Sequence, residues 1–200
     1  MADYLHPQDW QINNLHTAME YDTDGNPVLR VSQHSSGSGS NVSGLPFYLQ
    51  VAMGKIDGIT FNHKFGAVPS ISQNTTGSVW DVSDSVYPWD ALGAGSIVNV
   101  ETNSTNDIGI NVTVQGLDAN YNVVEETILT TGTNTLGSTE FIRVNRVFCD
   151  EQNTSNIDIE AGAAGGTTVA RITAGFAQTL MAVYTVPAGK TAYLLHGAMT

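Results

Sequence analysis

The chain has 200 residues, 41% apolar and only 13% charged, with a formal net charge of -12 at neutral pH. That length buries one substantial core, with room for an appended arm, and does not extend to two full domains. Seven Lys and Arg residues against 19 Asp and Glu, with no basic cluster, would repel a phosphate backbone, so no nucleic-acid partner is expected.

Solubility rests instead on abundant Asn, Thr, Ser and Gly, the composition of rigid extracellular or particle-borne β proteins. No stretch reaches the length of a membrane span, and Met-Ala-Asp-Tyr-Leu-His-Pro at the start lacks the basic-then-apolar layout of a secretory signal. The expectation is therefore synthesis in the cytosol and no membrane partner.

Residues 1–34 read as an arm. Trp10, Ile12, Leu15 and Met19 recur at helical spacing, with Asp9 as cap, and so predict a short helix with one apolar face. Asp24-Gly25 between the apolar flanks of Tyr21 and Val28 to Val31 predicts a tight turn. Asp22, Asp24 and Asn26 also have the alternate oxygen spacing of a calcium loop, but Pro27 and Gln33 stand where that motif needs Gly and Glu. The turn is the favoured reading. Residues 32–44 are Ser- and Gly-rich, as in a flexible linker. The organisation expected is an anchoring arm over 1–34, a linker over 35–46 and a β domain over 47–200.

From Leu45 onward the reading is β throughout. Ile108, Ile110, Val112 and Val114 alternate with Gly109, Asn111, Thr113 and Gln115, which places the apolar β-branched side chains on one face of a half-buried strand. Strands are predicted at 47–53, 79–82, 96–101, 108–115, 123–130, 140–148, 156–160, 168–173, 178–186 and 190–196. Their spacing, with Gly, Asn, Asp or Pro between, predicts an all-β sandwich or jelly roll. Residues 116–122 read as a hairpin loop, Val186 to Lys190 as a tight turn, and Glu125 and Glu126 as solvent-facing edge charges.

Catalytic inventory is sparse. His6, His16, His34, His63 and His196 share no ligand spacing, so no metal or other cofactor is expected. No Gly-x-Ser-x-Gly elbow is present, and a pair of glycosidase carboxylates would come together only in the fold. Cys149, following Val147 and Phe148, reads as a buried structural thiol. Asn-x-Ser/Thr triplets at Asn41, Asn74, Asn103, Asn111 and Asn153 are expected by chance in a chain this rich in those residues. Trp80, Tyr87 and Trp89, interleaved with Asp81 and Asp84, carry two readings: a surface patch for a receptor or glycan, or aromatic plugs of the sandwich. Aromatic anchors serve protein interfaces as well.

Three runs carry a family resemblance: Gly116-Leu-Asp-Ala-Asn-Tyr-Asn-Val-Val-Glu-Glu-Thr127, Phe141-Ile-Arg-Val-Asn-Arg-Val147, and Gln178 through the Val-Pro-Ala-Gly-Lys turn to Tyr193. With the stretch from Phe65-Gly66 to Val79-Trp80-Asp81, they resemble virion structural proteins of tailed bacteriophages, particularly the marine and cyanobacterial type, over about residues 48–196. The resemblance implies a particle-borne, non-enzymatic β domain: a capsid decoration, a fibre or a tail-associated component. It also implies other virion proteins as partners, an oligomer that is trimeric by analogy, and docking through Trp10, Ile12, Leu15 and Met19. A receptor- or carbohydrate-binding fibre head, with a host-surface glycan as partner, is the alternative. Similar proteins continue past the Pro-Ala-Gly-Lys turn, whereas this chain stops after an apolar run. That predicts either a neighbouring subunit over an exposed edge or a longer gene product.

Overall fold

Residues 19–21, 27–29, 45–102, 104–194 and 197–198 are described by the computed structural model, and they divide into one unit ending at His63 and another beginning at Lys64. In the first unit, β1 (Met19–Tyr21) pairs antiparallel with β2 (Pro27–Leu29), Met19 opposite Leu29 and Tyr21 opposite Pro27. The tight turn expected at Asp24-Gly25 lies outside the described residues, as do Trp10, Ile12 and Leu15. Met19 is a strand residue, so it does not complete the helical face expected of it. Its neighbour is Leu29 across a ladder, not a residue one helical turn away.

A second departure is α1 (Phe47–Ala52), which occupies the stretch expected to be the first strand. Phe, Tyr and Val favour strands, but Pro46 and Gly54 bracket the segment in the order that starts and stops a helix. Pro46 sits at the N-terminal cap. At the other end Gly54, at φ 66°, donates to the Val51 carbonyl while Lys55 donates to that of Gln50, a Schellman closure that needs a left-handed residue.

The second unit is an all-β sandwich. Its strands are β3 (Val98–Thr102), β4 (Asn111–Leu117), β5 (Val123–Leu129), β6 (Asn134–Leu136), β7 (Arg143–Cys149), β8 (Ile157–Ala161) and β9 (Thr168–Ile172). Every pairing is antiparallel. One sheet has the order β6-β3-β8-β9 and the other β5-β4-β7, a four-plus-three arrangement where a complete jelly roll has eight strands.

Alternation supplies the core. Val98, Val100, Ile157, Ile159, Ala170 and Ile172 come from the larger sheet and meet Val112, Val114, Ile128, Val144 and Val147 from the smaller one. Each fully buried large aliphatic side chain contributes about 1.5–3 kcal/mol. Ile110 joins this face as expected, whereas Ile108 is exposed, because the chain makes a 3₁₀ turn over Thr105–Asp107 and passes Gly109 at φ 84° before β4 begins.

A bulge re-phases the smaller sheet. Gln115 faces Arg146 but Gly116 faces Val144, so Asn145 is the extra residue. A Cβ at Gly116 would lie 2.1 Å from the Arg143 carbonyl oxygen, so only glycine fits. The displaced Asn145 then clamps the C-terminal segment, accepting from Thr185 N–H at 2.8 Å and donating to its carbonyl at 3.1 Å.

Residues 178–186 keep the expected alternation without being a strand. Thr179, Met181 and Val183 point inward, but the backbone bonds go to Val147, Ala67 and Val79 in turn, so no ladder forms. Residues 79–82 and 190–194 are likewise not strands. Glu126, expected to face solvent, points inward on β5 and accepts from Ser138 N–H, Ser138 hydroxyl and Thr139 N–H. Glu125 is exposed as expected and accepts from Gln115.

Candidate functional site

The Trp-rich loop resolves into core and surface. Trp80 and Tyr87 are each 3% exposed and stack edge-on at 5.1 Å, with Trp80 Nε1 donating to the Ser85 carbonyl. Trp89 meets the Tyr87 ring at 4.8 Å and leaves its far side in solvent. Trp80 and Tyr87 therefore cannot belong to a surface contact patch. Burial of the indole and phenol rings is what anchors this strandless loop to the sandwich, and it holds the Tyr87 phenol far above its ordinary pKa. Asp84 is half-buried and accepts from the Ser72 hydroxyl.

Asp81 turns away from that loop into an open recess of about 360 Å³ lined by Ala67, Val68, Pro69, Asn156, Arg171, Thr173 and Leu180. It is 8% exposed; its Oδ2 accepts from the Thr173 hydroxyl at 2.7 Å, and its Oδ1 has no hydrogen-bond partner. Burial pushes the carboxyl above its usual range, against the opposing pull of the Thr173 bond, the backbone N–H groups of Asp81 and Leu180 and the Arg171 charge. Arg171 is held by Asp158 through a two-pronged ion pair, Nε to Oδ1 at 2.6 Å and Nη2 to Oδ2 at 2.8 Å, a geometry with little freedom to swing.

Asp158 belongs to a polar outer face on the larger sheet, where register sets Asn99 opposite Glu160 and Glu101 opposite Asp158. Asn99 donates to Glu160 and to Asn134. Burial, then the charges of Glu160 and Asp158, raise the Glu101 carboxyl. Among the described residues no three His, Cys, Asp or Glu side chains are placed to hold a metal ion.

A third feature is apolar and exposed. On α1 only Val51 is buried, while Phe47 is 60%, Tyr48 52% and Met53 55% exposed; Ile59 and Phe61 follow in the same unit, and Phe65 and Ile71 open the next. Residues 53–78 contain neither helix nor strand.

The three runs that carry the resemblance are neighbours in space. Ala188 N–H donates to the Tyr121 carbonyl, Arg146 Nη2 donates to Gln178, and Asn145 holds Thr185. Cys149 is buried, and its thiol is pushed up to about 11 by burial and then by the charges of Asp150 and Asp107. Among the described residues no helix is long and apolar enough to cross a membrane. Comparison of the chain with protein families, with characterised proteins and with solved structures gave no match.

Proposed function

We propose that the chain is a non-enzymatic structural protein of a tailed-bacteriophage virion, attached through its N-terminal region to other virion proteins and carrying the β-sandwich as a rigid head. The observation that carries this reading is the apolar display of the first unit over residues 47–61. Side chains such as Phe47, Tyr48 and Met53, more than half exposed, are the aromatic and Met anchors that protein interfaces bury.

The docking region accordingly extends past residue 34 to include α1 and the rest of the first unit. The receptor-head alternative keeps only Trp89 and Asp84 at the surface of its aromatic patch.

Incorporation into particles tests the proposal. Phage carrying a deletion of residues 1–34, or Phe47→Ser with Tyr48→Ser and Met53→Ser, should yield virions depleted of this chain while the purified variant keeps the wild-type melt of its sandwich. Wild-type incorporation of the triple variant would overturn the reading.

A further inference from the structure

β5 leaves one side of its backbone unspent. The ladder's parity is fixed at both ends of the β4–β5 pair, where Asp118 N–H donates to the Asn122 carbonyl and Thr130 N–H to that of Ile110. Hydrogen-bonded pairs alternate along an antiparallel ladder with pairs whose groups point the other way, so Val124, Glu126 and Ile128 spend their N–H and C=O on β4. Those of Val123, Glu125, Thr127 and Leu129 point away from the sheet and meet no partner among the described residues. All four residues are exposed, Val123 at 68% and Leu129 at 54%. The other edges are guarded in the ways sheets commonly are. At the far side of the same sheet β7 is covered by residues 177–179, with Cys149 N–H donating to the Ala177 carbonyl and Thr179 N–H to that of Val147. β6 is three residues long, and β9 carries Val169 as a bulge against β8. β5 runs seven residues with no Pro, Gly or Lys and no register shift.

We propose that β5 is the contact between two copies of this chain, paired antiparallel about a twofold axis at Glu126, so that two three-stranded sheets become one of six strands. The outward-pointing residues then pair Val123 with the partner's Leu129 and Glu125 with the partner's Thr127, each contact occurring twice by symmetry. On the outer face this sets apolar against apolar at both ends and a carboxylate against a hydroxyl between them. Thr127 is already bonded to Thr113 and Glu125 to Gln115, which hold both side chains on that face. An axis through residue 125 would set Glu125 against its own copy, and one through residue 127 would set Glu125 against Leu129; both mismatches count against those registers. Glu126 meets its copy on the inner face, where Ser138 and Thr139 hold each carboxylate on its own protomer. The contact lies apart from the docking region, does not rest on the virion reading, and is twofold where the resemblance implies a trimer.

The test follows the full chain by sedimentation equilibrium and by amide hydrogen exchange in ¹⁵N spectra, at several protein concentrations and at physiological ionic strength, which screens the repulsion between two acidic copies. A monomer–dimer equilibrium is expected. The amides of Val123, Glu125, Thr127 and Leu129 should gain protection as the dimer forms, while those of Val124, Glu126 and Ile128 are protected throughout. Thr127→Pro removes an outward N–H and leaves the β4 ladder intact, so it should raise the dimer dissociation constant tenfold or more with the sandwich still folded. Val123→Lys with Leu129→Lys, at two exposed positions, sets like charges opposite each other and should do the same. Val123→Glu with Leu129→Lys sets opposite charges there and should leave the dimer in place. A chain that stays monomeric up to about 1 mM, or a dimer unmoved by the double lysine variant or by a folded Thr127→Pro, would overturn the proposal. So would an assembly in which the four amides still exchange freely, or protection that appears only when another protein is added.

Discussion

Replacing Asp107 should reveal a substantial polar contribution to the sandwich. Asp107 is fully buried at the end of the 3₁₀ turn. Its Oδ1 accepts from Thr154 N–H at 2.7 Å and the Thr154 hydroxyl at 2.8 Å, and its Oδ2 accepts from Ser155 N–H at 2.9 Å and the Ser155 hydroxyl. Its own carbonyl takes the Thr130 hydroxyl, which in turn accepts from Ile110 N–H. The residue thus joins the chain entering β8 of one sheet to that entering β4 and leaving β5 of the other. In Asp107→Ala the two hydroxyls can rotate to new partners, but two backbone N–H groups are left without acceptors. At about 1–3 kcal/mol each, the loss is about 2–6 kcal/mol, or a melting temperature roughly 5–20 °C lower. Burial alone would raise this carboxyl, but the bonds from Ser155 and Thr154 prevail and lower it below 3.8. A lowered acid contributes its stability above the unfolded value and loses it as pH falls through the folded value. Urea denaturation followed by tryptophan fluorescence, at neutral pH and below pH 3.8, should therefore show a shallower acid decline in Asp107→Ala than in wild type. A loss under about 1 kcal/mol at neutral pH, or parallel acid declines, would refute the reasoning.

Other substitutions separate core from surface. Trp80→Ala should destabilise by about 3–5 kcal/mol, and Trp89→Ala, at a ring 39% exposed against 3% for Trp80, by clearly less; equal losses in chemical denaturation would contradict the assigned burial. Gly116→Ala should lose about 3 kcal/mol or more, because its Cβ meets the Arg143 carbonyl, and a neutral thermal melt would argue against the bulge. For Cys149, a thiol near 11 leaves about two hundredfold less thiolate at pH 8 than an ordinary cysteine. Ellman's reagent should therefore react slowly with the native protein and rapidly in urea, and similar rates would show an open thiol.

What the sequence reveals follows the range of the signal. β4, β5, β7, β8 and β9 are legible because period-two alternation is local and Gly, Asn or Asp separates them. β6 escapes because Asn134-Thr135-Leu136 is too short to alternate. α1 is misread because the β propensity of Phe47, Tyr48 and Val51 masks the Pro46 and Gly54 boundary signals. Residues 178–186 alternate as a strand does, but strandness also requires one continuous partner, and theirs change from Val147 to Ala67 to Val79. Composition around Trp80 and Tyr87 cannot separate a surface patch from a plug, since aromatic rings serve both. Asp107 and Thr154, or Asp81 and Arg171, are far apart in the chain, and no local pattern brings them together. The apolar residues at 47–53 are visible as residue types, but the strand expected there says nothing of their exposure.

The most direct measurement of the virion proposal is cryo-electron microscopy of intact phage particles that encode this chain, with the sandwich of residues 64–194 fitted as a rigid body. The expected result is sandwich density on the particle, with Phe47, Tyr48 and Met53 covered by a neighbouring virion protein. Particles without such density, or with those three side chains facing solvent, would contradict the account.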